Sequence, residues 1–69
     1  MIKAYFTFET IHQADNFRCS IKDHFGIKPD CLMFTSKGYE FTYSLDSIEQ
    51  AEEMSLYAHE DCQWGTVEA

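Results

Sequence analysis

Residues 31–45 read CLMFTSKGYEFTYSL. Two strand-like runs flank Lys37-Gly38, and a glycine at that point supplies the backbone freedom of a tight turn. The stretch predicts a hairpin of strands 31–36 and 39–45. With a two-residue loop at Lys37-Gly38, Ser36 faces Tyr39, Phe34 faces Phe41 and Leu32 faces Tyr43. The apolar face of one strand then meets the apolar face of the other, and a slip of one residue would break the match.

Upstream, residues 2–9 (IKAYFTFE) alternate strictly. Ile2, Ala4, Phe6 and Phe8 fall on one face, and Lys3, Tyr5, Thr7 and Glu9 on the other, which is the pattern of a half-buried strand. Thr10-Ile11-His12-Gln13 fits a capping box, in which the Thr and Gln side chains satisfy free amides reciprocally. Ile11, Ala14, Phe17, Ile21 and Phe25 follow at helical spacing in one stripe. Lys22 and His24 fall in the last turn, with Gly26 just beyond and Pro29 shortly after, which are stop signals. A first helix is therefore predicted over about 10–25.

Downstream of the hairpin, Asp46-Ser47-Ile48-Glu49 forms a second capping box, with Ser47 and Gln50 an equally good register. Ile48, Ala51, Met54, Ser55, Ala58 and Cys62 lie in one stripe, so a second helix is expected over about 46–61. Residues 63–67 (QWGTV) offer a short last strand. The order β-α-β-β-α(-β) predicts an α+β, ferredoxin-like fold: two helices on one face of a 3–4-stranded antiparallel sheet.

The chain has 69 residues. Residues 1–69 are read as one small domain, without linker or repeat. A chain of this length buries only about 60% of the surface its unfolded form exposes, so its stability is marginal. An aromatic content of 16%, with six Phe and four Tyr, offsets this and rules out a simple acidic tail. There is no secretory apolar region and no run near 18 apolar residues, so a cytoplasmic protein without membrane contact is expected. Cys19, Cys31 and Cys62 are odd in number and irregular in spacing, which argues for buried free thiols rather than a disulfide framework.

The charge is unevenly placed. The chain carries a formal −7, with five basic and twelve acidic residues. All five basic residues lie within 1–37, whereas 38–69 holds eight acids and no Lys or Arg. At about 100° per residue, Glu49, Glu53 and Glu60 cluster on the outer face of the second helix, with Glu52 nearby. Leu56 falls among them and Tyr57 at their edge, the form of a contact anchor inside a charged rim. Glu49 and Glu53 are a like-charge i,i+4 pair that no cation relieves. Such a face serves either solubility alone or the binding of a basic partner.

Basic surfaces in cells are mostly nucleic-acid-binding surfaces, and carboxylates on a helix recur every 5–6 Å or so, comparable to backbone phosphates. In size and charge the chain resembles the DNA-mimic and anti-CRISPR inhibitors of phages and other mobile elements. The resemblance is one of type, with no shared motif. It implies a non-enzymatic inhibitor that presents Glu49, Glu52, Glu53, Leu56, Tyr57 and Glu60 to a basic nucleic-acid-binding protein or complex, without touching nucleic acid directly.

Other chemistry finds less support. Residues 37–43 (KGYEFTY) superficially match an RNA-recognition motif, but Glu40 and Thr42 stand where that motif needs buried apolar residues. The net charge also opposes RNA binding. His12, Cys19, His24, Cys31, His59 and Cys62 include no Cys-x-x-Cys pair, so no metal or cofactor is expected. Cys19 falls on the polar side of the first helix beside His12, Asp15 and Asp23, and those carboxylates argue against a catalytic thiol. There is no Gly-rich phosphate loop, calcium loop or defensible Ser-His-Asp order. The open sheet face would carry Lys3, Tyr5, Thr7, Cys31, Met33, Thr35, Glu40 and Thr42. Tyr5 and Met33 on that face give the alternative reading, a structural or regulatory homodimer.

Overall fold

The computed structural model describes residues 1–58 and 62–68. Alternation in β1 (Ile2–Phe8) has its expected consequence: Ala4, Phe6 and Phe8 are buried and Tyr5 is exposed. Thr7 departs from it. This residue is buried on the polar face, where its hydroxyl donates to the Glu40 carboxylate at 3.3 Å.

The helix α1 (Ile11–Phe25) starts where the cap demands, since the Thr10 hydroxyl accepts from the Gln13 amide at 3.2 Å. It stops at Gly26, whose φ of 70° lets its amide donate to the Lys22 carbonyl at 2.9 Å. Ala14, Phe17 and Ile21 are buried and Phe25 packs at the margin of the core. Ile11, expected to open the buried stripe, is instead 42% exposed. Phe17 anchors the helix, with its ring centroid 4.7 Å from Phe6 and 5.0 Å from Phe8.

The hairpin forms from β2 (Cys31–Thr35) and β3 (Gly38–Leu45), but in a register two residues from the expected one. Leu32 faces Phe41 and Phe34 faces Tyr39, and the loop is Ser36-Lys37. The Thr35 hydroxyl sets this turn, accepting from the Lys37 amide and donating to the Gly38 carbonyl, both at 3.2 Å. Gly38 is needed inside the strand, not in the loop: its φ is 130°, and a Cβ there would stand 2.1 Å from the Phe8 carbonyl oxygen. Because the shift is by two, every side chain keeps its predicted face.

After Ser47, α2 (Ile48–Ser55) carries the chain back, and β4 (Gln63–Glu68) completes the sheet. The strand order is β2-β3-β1-β4, with all neighbours antiparallel. The result is a small α+β fold of four strands and two helices, compatible with a ferredoxin-like arrangement. One core joins Ala4, Phe6 and Phe8 of β1 and Phe41, Tyr43 and Leu45 of β3 to Ala14, Phe17 and Ile21 of α1 and Ala51 and Met54 of α2. Trp64 of β4 faces Phe6 across the strands and stacks on it at 5.9 Å and 14°.

The helices pack on β1, β3 and β4, which leaves the edge strand β2 poorly covered. Leu32 and Phe34 share the core-side face of the sheet, yet they are 51% and 77% exposed. On the same face of β3, Phe41, Tyr43 and Leu45 are buried and Tyr39 packs at the margin of the core. The general reading of buried thiols does not hold: Cys19, on the polar side of α1, and Cys31, on the open sheet face, are exposed, and Cys62 is half-buried.

Candidate functional site: the acidic face of the second helix

The shorter α2 reflects its own hydrogen bonds. Of the two capping registers, the one at Ser47 forms: its hydroxyl accepts from the Gln50 amide at 3.3 Å, and the Gln50 side-chain oxygen accepts from the Asp46 amide at 3.4 Å. At the other end the Ser55 hydroxyl donates to the Glu52 carbonyl at 2.6 Å, drawing that acceptor off the helical ladder. The next three amides, of Leu56, Tyr57 and Ala58, then bond three residues back, to Glu53, Met54 and Ser55. That pattern tightens the last turn and ends the regular helix. Over its described part, through Ala58, the predicted 46–61 helix is thus Ile48–Ser55 followed by one tight turn, and residues 59–61 lie outside the described residues.

Within this frame Ala51 and Met54 point into the core. Glu49, Glu52, Glu53 and Leu56 lie within roughly 100° of arc on the opposite side, by helical geometry. All four are exposed, Leu56 to 82%. Their carboxylates are uncompensated: among the described residues the ion pairs are Lys3–Asp30 and Arg18–Asp15, both elsewhere. Glu49 also sits in the first turn, where the helix dipole favours an acid.

Tyr57 belongs only partly to this face. Its ring is stacked on His24 at 4.6 Å and meets Phe25 edge-on at 5.8 Å, so it ties the end of α2 to the end of α1 while remaining 42% exposed. Glu60 lies outside the described residues, as do His59 and Asp61. The structure therefore brings together Glu49, Glu52, Glu53 and Leu56, and gives Tyr57 a packing role as well. One residue was missed: Ile48, assigned to the core stripe, is 45% exposed and flanks the acidic arc. Its position at the first helical residue, where a stripe overhangs the core edge, was the available signal.

No family model matches the chain, and neither a curated protein nor a solved structure matches it in sequence or fold. Among the described residues no three His, Cys, Asp or Glu side chains converge as a metal site requires. The Cys62 thiol is pushed up to about 11 by burial, which disfavours the reactive thiolate. No helix among the described residues is long and apolar enough to cross a membrane. The arrangement offers an exposed apolar side chain ringed by three carboxylates on a short, well-capped helix, which can make a charge-complementary contact.

Proposed function

We propose that this chain is a non-enzymatic protein-binding inhibitor of the DNA-mimic or anti-CRISPR type, encoded by a phage or other mobile element. It acts in the cytoplasm on a ferredoxin-like scaffold. The acidic face of α2 docks on a basic surface that its target uses to hold nucleic acid. Glu49, Glu52, Glu53 and Glu60 supply charge complementarity, and Leu56 or Tyr57 the apolar anchor. The observation that carries this reading is the placement of Leu56, 82% exposed at the centre of an acidic arc on a helix with no basic residue in its last turn. Affinity purification from the native host, with the wild-type chain and Glu49→Lys/Glu53→Lys in parallel, tests it. The wild type retains a basic nucleic-acid-binding protein that the double variant loses.

The open sheet face favours a second reading, a structural or regulatory homodimer. Tyr5, Met33 and Val67 are exposed there, on a face that neither helix covers. Light scattering of the pure protein separates the two: a monomer at high concentration removes the dimer.

A further inference from the structure

Arg18 and Lys22 stand one turn apart on α1, and the segment leaving Gly26 returns Lys28 beside them. With Ile27 and Pro29 these three side chains line a cleft of about 320 Å³. Three of the five basic residues of a chain with net charge −7 thus share one concavity, and among the described residues no acid lines it. Lys22 and Lys28 form no ion pair among the described residues. Arg18 has only Asp15, at 3.4 Å in an exposed i,i+3 pair of small worth. Arg18 and Lys22 are moreover a like-charge i,i+4 pair, which costs stability unless an anion joins them.

The walls of the cleft add to this. Ile27 is half-buried and packs against the core, so it is a fixed apolar surface, and the ring of Pro29 is rigid by its chemistry. An Arg fork and two ammonium groups are the donor set that phosphate oxygens take. The volume is at the lower end for small-molecule clefts. Three cations neutralise too few phosphates to hold a polynucleotide against the charge of the remaining chain.

We propose that this cleft binds a phosphorylated small molecule of nucleoside-monophosphate size, its phosphate held by Arg18, Lys22 and Lys28 and its body lying on Ile27 and Pro29. The site is independent of the acidic face of α2.

The test is a titration of the full ¹⁵N-labelled chain with adenosine monophosphate and, separately, with inorganic phosphate at low salt. Saturable amide shifts confined to about residues 18–29 are expected, with the nucleotide binding at least about tenfold more tightly than phosphate. Lys22→Gln and Lys28→Gln each weaken nucleotide binding by about tenfold, while the rest of the spectrum reports an intact fold. Arg18→Lys, which keeps the charge and loses the fork, weakens it as well. Lys37→Gln, in the β2–β3 turn, leaves it unchanged. Shifts that do not saturate overturn the proposal. So does an equal loss in Lys37→Gln, which marks general charge attraction, or phosphate binding as tightly as the nucleotide, which leaves the apolar walls without a role.

Discussion

Gly38 and the Phe8 carbonyl are in contact at the end of the β1–β3 pairing: a Cβ on Gly38 would stand 2.1 Å from that oxygen and 3.0 Å from its carbon. The obstacle is backbone, so it cannot swing aside. The φ of 130° adds strain for any side chain. Gly38→Ala should therefore cost about 3 kcal/mol or more. Gly26→Ala, at φ 70° with open space around the added methyl, should cost about 1 kcal/mol. Chemical denaturation of both variants checks this; equal losses would show that the contact does not constrain the hairpin.

That contact also explains what the sequence could not reveal about the hairpin. The alternation in residues 31–45 fixes the faces, and those faces are observed. It is blind to a shift by two, because both registers match apolar to apolar. The deciding facts are the Thr35 hydroxyl bridging Lys37 and Gly38 and the fit of Gly38 against Phe8, and the second is a contact across the fold. The cap residues Thr10 and Ser47 and the stop at Gly26 were legible because they act locally. The early end of α2 was not, since it turns on one Ser55 side-chain bond.

Exposure at the sheet edge separates two kinds of phenylalanine. Phe6 is fully buried between Phe17, Tyr43 and Trp64. Phe34 is 77% exposed, its ring edge-on to Tyr39 at 5.0 Å. Phe6→Ala should cost about 3–5 kcal/mol, whereas Phe34→Ser should cost about 1 kcal/mol or less. Urea unfolding measures both. A large loss in Phe34→Ser would mean that β2 is covered after all.

Burial raises the pKa of Tyr43 from 10.0 to about 12, opposed only by the charge of Arg18. The folded state therefore holds the phenol proton more tightly than the unfolded chain. The stability this contributes is full below pH 10 and is lost as the pH rises toward 12. Absorbance titration at the phenolate band should show the Tyr43 phenol ionising well above pH 10, together with loss of fold. Tyr43→Phe should remove that alkaline step. An absorbance step lost in Tyr43→Phe that lies near pH 10 with the fold intact would contradict this.

The acidic arc of α2 is uncompensated, so salt that screens it should stabilise the chain. Raising the salt from about 0.05 to 0.5 M shortens the Debye length severalfold, and the melting temperature should climb by a few degrees. In Glu53→Gln, which breaks the Glu49–Glu53 repulsion, the climb should be smaller. A flat salt response in the wild type would show that the repulsion carries no cost.

The central claim is that Glu49, Glu53 and Leu56 form a working contact, and it is tested most directly by capture from the native host. The full-length protein, Glu49→Lys/Glu53→Lys and Leu56→Ala are immobilised in parallel, after circular dichroism shows that all three are folded. The wild type should retain a basic protein and release it from its nucleic acid, the double variant should retain none, and Leu56→Ala should retain about tenfold less. Capture that is unchanged across the three, or a captured protein whose nucleic-acid binding is undisturbed, would contradict the account.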